Sequence, residues 1–531
     1  MVSRTNARVV YNSICDSEYG GNSMEQEKYA IIDIGSNTIR LVIYTRDKSG
    51  RFSESENVKA VARLRNYLTD DLTLSEEGIA VLIDTLKSFQ EVTRHHQLEA
   101  IKCVATAAVR QAKNQEAIIQ RVGEETDFTM RILSEYEEAH YGYLAVVNSM
   151  AYKNGITVDI GGGSTELTLF EGRELIHFHS FPFGALSLKK QFIEGDTPKK
   201  SELKALREFI ESQFLSLDWI EGKELPLIGI GGSARNLAQV HQEKIDYPLS
   251  GVHQYTMKRK DVEETNKWLG SMEFDDLQRV EGLSRDRADI IIPAVEVFNC
   301  LMELIDAELF ALSRKGLRDG VFYEEMTKDF EMPVFPNVIE ESFYDLAIDY
   351  DINLTHAIHV TNSALMIVRE LVDEGFLELS ESDHRWVRLG SSMYNLGSYI
   401  DSESSNQHTF YLLANRTIDG LLHKERIIVA LLASYKNKNL FKRNAALYED
   451  WFTEEELDKF NIMGAVIKFA YSLNATKRDI VKDIQIESKK EELVFSIQCR
   501  EDWKPEQYQV EKQKKHLEKL LKKAITVHFH E

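Results

Sequence analysis

The sequence predicts an α/β chain of two duplicated lobes facing across a central cleft, followed by an all-helical domain and a small C-terminal α/β domain. Three observations predict it: a strand-turn-strand unit that occurs twice, helix and strand signals alternating around each copy, and the loss of strand signals beyond residue 333. In the first copy residues 29–33 are apolar and strand-like, Gly35-Ser36-Asn37 breaks the run, and residues 39–44 resume it. The second copy runs 156–159, Gly161-Gly162-Gly163, then 165–170. Laying Asp33-Ile34-Gly35 on Asp159-Ile160-Gly161 also sets Thr38 on Ser164, Arg40 on Glu166 and Leu41 on Leu167, so duplication is the economical reading.

The remaining elements follow in order. Ile79, Leu82, Ile83, Leu86 and Phe89 fall at helical spacing, and strands are expected over 101–105 and 128–133. Past the second hairpin come a helix over 203–214, a strand over 227–230 and a helix starting near Ala234. Pro333-Val334-Phe335-Pro336 then opens long amphipathic stretches to about residue 475. Strands over 484–487, 493–498 and 525–529 flank a Lys/Glu-rich helix over 506–523. The expected boundaries are a disordered tail 1–27, lobe I 28–150, lobe II 151–328, the helical domain 329–475 and the last domain 476–531. The tail holds Gly20-Gly21 and Met24, a second candidate start.

At 531 residues the chain is three to four times the usual domain length of roughly 150. With 64 Lys plus Arg against 86 Asp plus Glu, the net charge is −22, which argues against broad attraction to nucleic acid or anionic lipid. An anionic ligand must meet a local basic site. The four cysteines, Cys15, Cys103, Cys300 and Cys499, show no metal-like or disulfide-dense spacing, which fits a reducing compartment. No apolar run approaches the roughly 18 residues of a membrane span, and the polar N-terminus lacks a signal-peptide core. A soluble, cytoplasmic protein is expected.

Asp33-Ile34-Gly35-Ser36-Asn37 ends a buried strand on a carboxylate and continues into residues whose N–H groups and short side chains reach an anion. Such an Asp can hold Mg²⁺ directly or through water. Alone it reads equally as an ordinary turn. The run Asp159 to Glu166 is sharper, because three consecutive glycines cost backbone entropy that a structural hairpin rarely needs. Two matching loops in a duplicated chain suggest hairpins that clamp one phosphate from both sides.

The paired loops resemble the phosphate-binding motifs of the actin-like ATPase superfamily, whose lobes are ribonuclease H-like. Further stretches resemble the exopolyphosphatase and guanosine pentaphosphate phosphohydrolase family. They are Ala105-Thr106-Ala107-Ala108-Val109-Arg110, Leu133-Ser134-Glu135-Tyr136-Glu137-Glu138-Ala139, Gly231-Gly232-Ser233-Ala234-Arg235, Arg287-Ala288-Asp289-Ile290-Ile291-Ile292-Pro293 and Gly316-Leu317-Arg318-Asp319-Gly320-Val321. Ser134 with Glu137 fits a capping box, so Glu137 has a structural task. Glu138 matches the family's water-activating Glu, its bland alternative being a first-turn acid favoured by the helix dipole. The resemblance implies metal handling by Asp159 and Glu166, with an outer-sphere contribution from Asp33. It also implies phosphate binding by Gly35, Ser36, Asn37, Thr38, Gly161, Gly162, Gly163 and Ser164. Mg²⁺ is the expected cofactor, since carboxylates and a polyanion otherwise repel each other.

Arg40 and Arg110 are the expected guanidinium clamps, their alternative being surface ion pairs. Arg63, Arg65, Lys189, Lys190, Arg285 and Arg287 extend a basic track or form a solvated face. Gly231-Gly232-Ser233 is either a nucleoside-side loop or a helix start. The family's helical domain resembles a metal-dependent HD phosphohydrolase fold. Here the matching stretch, Met393-Tyr394-Asn395-Leu396-Gly397, lacks the His-Asp pair, so that metal site is expected to be absent. His356, His359 and His408 have no carboxylate at usable spacing, and the Lys512–Lys523 run suits a solvated helix face.

The expected function is an exopolyphosphatase that hydrolyses terminal phosphate from inorganic polyphosphate with Mg²⁺ and a Glu-activated water. Alternatives are a guanosine pentaphosphate 5′-phosphohydrolase, a non-catalytic polyphosphate or alarmone sensor, and a sugar kinase, the last disfavoured by the hydrolase-like stretches. A homodimer without nucleic-acid or membrane partners is implied.

Overall fold

The computed structural model describes residues 27–46, 52–328 and 332–531. The expected tail, with Cys15 and Met24, lies outside the described residues except for Glu27. The first sheet comprises β1 (Lys28–Ile34), β2 (Thr38–Arg46), β3 (Phe52–Val61), β4 (Ala100–Ala105) and β5 (Met130–Ile132), in the order β3-β2-β1-β4-β5. The second comprises β6 (Gly155–Ile160), β7 (Thr165–Glu171), β8 (Glu174–Phe181), β9 (Leu227–Ile230), β10 (Thr256–Lys258) and β11 (Leu309–Leu312), in the order β10-β11-β9-β6-β7-β8. Apart from β10, the second repeats the first strand for strand. β1 pairs antiparallel with β2 and parallel with β4, as β6 does with β7 and β9.

The duplication extends to register and turn. Asp33 opposes Arg40 and Asp159 opposes Glu166, while Gly35 N–H donates to Thr38 O at 3.0 Å and Gly161 N–H to Ser164 O at 2.9 Å. Two elements differ from expectation. Each hairpin carries a third strand, β3 or β8, at the edge of its sheet and with much of its length exposed, so neither shows the sustained apolar run of the inner strands. β5 is shorter than the strand expected over 128–133. Asp127 N–H goes to Gln90 Oε1 at 3.0 Å and Phe128 N–H to Thr126 Oγ1 at 3.3 Å, so side chains take these donors before the ladder begins.

Strand pleat decides which way each side chain faces. Ala30, Ile32 and Ile34 enter the core of lobe I with Leu82 and Leu86 of the helix Glu76–Thr93. Ile31 and Val42 point to the opposite face, into a separate core shared with Phe170, Ile228 and Ile230 of the second sheet. Asp33 and Arg40 have the parity of Ile31 and Val42, so both face lobe II. The same alternation turns Asp159 away from Val158 and Ile160, which belong to lobe II's own core.

Two helices fill the shared core. Glu135–Val147 contributes Tyr141 and Leu144, and Leu317–Thr327 contributes Val321 and Phe322. They cross so closely that a Cβ on Gly320 would lie 2.0 Å from the Tyr141 carbonyl oxygen.

The helical domain begins with Val338–Asp349 and reaches Glu454–Ser472. β12 (Val481–Ser488), β13 (Glu492–Cys499) and β14 (Ala524–His530) form the last sheet, in that order. One apolar core runs through both, joining Ile467 and Phe469 to Phe495 and Val527. The helix expected over 506–523 is two segments, Lys504–Gln513 and Lys515–Leu521, ended by Lys522 at φ 55°. Among the described residues no helix is long and apolar enough to cross a membrane.

Gly320→Ala forces the two buried helices apart and is expected to destabilise the chain by about 1–3 kcal/mol. Urea denaturation checks it: a midpoint equal to that of the parent would show that the crossing tolerates a methyl group.

Candidate active site

The cleft lies beyond the carboxyl ends of the parallel strands β1, β4, β6, β9 and β11, where an α/β sheet leaves a crevice. Asp33, Glu138, Asp159 and Glu166 line one cavity of about 390 Å³. Gly35, Ser36, Asn37, Thr38 and Arg40 line it from the first loop, and Gly161, Gly162 and Ser164 from the second. The loops approach closely enough that a Cβ on Gly162 would sit 3.2 Å from the Ser36 Cβ. Gly163 stands just outside, where an added Cβ would meet Arg65 and Ser36 at 3.5 Å.

Glu138 sits in the first turn of Glu135–Val147. Ser134 and Glu137 close the expected capping box there, with Ser134 N–H donating to Glu137 Oε2 at 2.8 Å. Arg110 is not on the cavity wall. Its Nη1 donates to Glu138 Oε2 at 2.6 Å and to Leu133 O at 3.1 Å, so it holds the carboxylate from behind. Across the cleft Arg318 Nη1 donates to Asp33 Oδ2 at 3.0 Å, and Ser180 Oγ donates to Glu166 Oε1 at 3.1 Å.

Four carboxylates largely withdrawn from solvent share one cavity, and burial with mutual repulsion raises proton affinity there. Burial first, then the charges of Asp159 and Asp33, push Glu138 up to about 7 against the pull of Arg110. Burial and Asp33 push Asp159 to about 6, and burial, Glu138 and Asp159 push Glu166 well above the carboxylate range. Asp33 is raised by burial although Arg318 opposes it.

The same cavity gathers a group of guanidinium ions. Arg40, Arg235, Arg287, Arg314 and Arg318 all line the cavity. Burial and the neighbouring Arg40, Arg318, Arg314 and Arg287 pull Arg235 down to about 10. Asn37, 7% exposed, has neither amide atom hydrogen-bonded among the described residues, an arrangement costing about 1–3 kcal/mol unless a ligand or water meets it. Three helices, Glu135–Val147, Gly231–Lys244 and Leu317–Thr327, begin at the cleft and turn partial positive charge toward it. Gly231, at φ 84°, is held where a Cβ would come 2.4 Å from Asp159 Oδ1. Gly231-Gly232 is therefore both a helix start and a wall of the cleft.

The donor set fits a hard divalent cation: carboxylate oxygens whose mutual repulsion it would relieve, facing a space for phosphate oxygens. Among the described residues no three His, Cys, Asp or Glu side chains form a cluster able to hold a metal ion. A cation here would take the rest of its shell from substrate and water, as Mg²⁺ does at phosphate sites.

The expected basic track is largely paired off. Arg63 and Lys189 approach Asp289 at 3.7 and 3.5 Å, and Arg65 bonds to Gln111, leaving Arg287 as its member on the cavity wall. Arg235, Arg314 and Arg318 were not singled out from sequence. Arg235 and Arg318 lie inside Gly-led stretches that follow strands, which is the signal that could have marked them. In the helical domain His359 meets a carboxylate after all, Asp479 at 3.5 Å, a partner too distant in sequence to be seen by spacing. His356 binds Asn474 at 2.9 Å and His408 binds Ser404 at 3.0 Å.

Beyond the arginines a second cavity of about 500 Å³ opens toward the helical domain, and Arg40, Arg235, Arg314 and Arg318 line both. Its wall adds the stacked pair Tyr44 and Phe322, with ring centroids 4.2 Å apart, and the acids Glu54 and Asp319.

Residues 42–329 match the model of the Ppx/GppA phosphatase family, and residues 338–527 match that of Ppx/GppA phosphatase, domain III. A guanosine-5′-triphosphate,3′-diphosphate pyrophosphatase from Pseudoalteromonas atlantica is 23% identical over 410 residues, covering 76% of this chain and 78% of that protein. Exopolyphosphatase 1 of Mycobacterium bovis is 24% identical over 307 residues, covering 57% and 89%. The crystal structure of the Aquifex aeolicus Ppx/GppA family member superposes with TM-score 0.51 at 27% identity, covering 58% of this chain and all of that one, 100%. An exopolyphosphatase from Cytophaga hutchinsonii, at 21% identity and TM-score 0.52 over 58% and 100% of the two chains, shares the fold. With two actin-like lobes, paired hairpin loops and family models matching on both sides of residue 330, the chain belongs to the Ppx/GppA phosphatase family and is a phosphoanhydride hydrolase.

Proposed function

We propose that the chain removes the terminal phosphate of inorganic polyphosphate, with Glu138 as the base that activates water. The convergence of Glu138 with both duplicated loops on one cavity carries this reading. The chain end enters between the loops, where main-chain N–H groups, Ser36, Asn37 and Ser164 hold its terminal phosphoryl group. Arg40, Arg235, Arg287 and Arg318 face the phosphates behind it and stabilise charge on the leaving oxygen. Arg110 fixes the Glu138 carboxylate, whose proton affinity near neutrality suits it to accept a proton from water. The water oxygen bonds to the terminal phosphorus, the bridging P–O bond breaks, the proton passes to Glu138, and orthophosphate leaves with a chain one unit shorter.

Asp159, Glu166 and, through water, Asp33 would hold Mg²⁺. When bound, Mg²⁺ supplies charge neutralisation between these carboxylates and the phosphate oxygens.

Guanosine pentaphosphate is the second reading, favoured by one observation: the aromatic pair and acids of the second cavity suit a nucleoside better than a continued polyanion. Phosphate release measured side by side on long polyphosphate and guanosine pentaphosphate, with and without Mg²⁺, decides between them.

Glu138→Gln is expected to lower kcat by about 10²–10⁴-fold while leaving the melting temperature near the parent's. A variant retaining kcat within a few-fold of the parent's would remove the proposed base.

A pH profile tests the same group. Protonated Glu138 cannot accept a proton, so kcat/KM should climb with pH through an acid limb near 7. Added Mg²⁺ favours the ionised carboxylates and should move that limb to lower pH.

The stability consequence has a defined sign. Glu138 rises from an ordinary 4.5 to about 7 in the fold, so its stabilising contribution is complete below 4.5 and lost as pH rises through 7. Mg²⁺ should therefore raise Tm more at about pH 8 than at about pH 5, as read by differential scanning fluorimetry. An equal gain at both values would contradict cation binding at these carboxylates.

A further inference from the structure

We propose that Asp419, a residue of the helical domain, is a positioning residue that holds the basic segment Arg314–Arg318 in place for anion binding in the cleft. The proposal rests on reading the cleft as a site for phosphoanhydride substrates.

The segment follows β11 and leads into the helix Leu317–Thr327. It brings Arg314 and Arg318 to the wall common to both cavities and Lys315 to the second cavity. These cations stand beside Arg40 and Arg235, so like-charge repulsion works against the segment's placement. Asp33 anchors Arg318 at 3.0 Å. Within the lobe Gly316 N–H donates to Asp319 Oδ2 at 3.0 Å, and a further anchor comes from outside the lobes. Asp419 lies between the helices Ser405–Asn415 and His423–Ala433, and its Oδ2 is 3.3 Å from Lys315 Nζ. Lys315 Nζ also donates to Tyr323 Oη at 3.0 Å.

The other carboxylate oxygen reaches Arg314 through a histidine. Arg314 N–H donates to His253 Nδ1 at 3.2 Å, which fixes that nitrogen as an acceptor and puts the imidazole proton on Nε2. His253 Nε2 then lies 3.1 Å from Ser149 O and 3.3 Å from Asp419 Oδ1. One carboxylate thus lies against Lys315 with one oxygen and, with the other, against the imidazole that accepts from the Arg314 main-chain N–H. Asp419 is 8% exposed, so solvent screens the arrangement little.

The hydrogen bonds that flank Asp419 join neutral groups. Gly420 N–H donates to Ser149 O at 2.8 Å, Gln254 Nε2 donates to Ile418 O at 3.2 Å and Leu421 O at 3.1 Å, and His423 Nε2 donates to His253 O at 2.9 Å. These bonds dock the helical domain. Asp419 adds to them a carboxylate that lies against Lys315 of the basic segment.

The test separates positioning from docking. In a Glu138→Gln background, where turnover is slowed by about 10²–10⁴-fold, binding of inorganic tripolyphosphate is measured by calorimetry with Asp419→Asn and, separately, with Gln254→Ala. Asp419→Asn should weaken binding about tenfold, whereas Gln254→Ala, which cuts two neutral bonds to the same loop, should change it less than about twofold. In the chain with Glu138 intact, Asp419→Asn should raise KM by a similar factor with kcat within about threefold of the parent. If Asp419→Asn does not fold, Asp419→Ser replaces it. Unchanged binding in the Asp419 variant, or equal weakening by Gln254→Ala, overturns the proposal while leaving the site's reading intact. A parent chain that neither releases phosphate nor binds tripolyphosphate overturns that reading, and this proposal with it.

Discussion

Strand pleat is the constraint on which the site depends. Ile32, Ile34, Val158 and Ile160 must enter the cores of their own lobes, and a period of two then leaves Asp33 and Asp159 no direction but the opposite face. Because the lobes pack those opposite faces together, two carboxylates that serve equivalent places in a duplicated unit end in one crevice. A shift of register by a single residue in β1 would bury Asp33 under the helix Glu76–Thr93 and expose Ile32 to the cleft. The apolar alternation that folds each lobe therefore also aims its chemistry.

That arrangement is electrostatically unfavourable in the absence of ligand. Glu138, Asp159 and Glu166 hold protons at pH values where exposed carboxylates are ionised, while Arg235 sits among other guanidinium ions and holds its own less tightly than usual. The fold spends stability to crowd acids and guanidinium ions around one crevice. A cation and a phosphate chain of the kind proposed would relieve both, and the Asn37 amide, unpartnered among the described residues, fits the same picture. Glu138 bridges structure and chemistry: a capping box formed by its neighbours places it, and Arg110 fixes its carboxylate.

The sequence makes the duplicated hairpins legible because glycine, hydroxyl and carboxylate recur at fixed offsets, and local pattern suffices for that. It marks Glu138 through the contrast with Glu137, whose cap leaves one acid without a structural task. It does not disclose β3 and β8, whose edge positions relax the apolar pattern. Nor does it disclose that Arg110 stands behind Glu138, or that Arg235, Arg314 and Arg318 gather with Arg40, because these neighbours come from separate strand ends and meet only when both sheets are packed. The pairing of His359 with Asp479 is hidden for the same reason: their elements meet in a core that spans the helical domain and the last sheet.

That common core has a further implication. Ile467 and Phe469 from the helices interdigitate with Phe495, Ile525 and Val527 from the last sheet, so neither part owns a complete interior. A nonsense codon near residue 475 would strip one wall from the apolar centre of everything after Pro336 and collapse the block that carries Asp419. The terminal sheet is better regarded as the keel of the helical half than as a detachable module, and lesions in it should be felt far from the place where they occur.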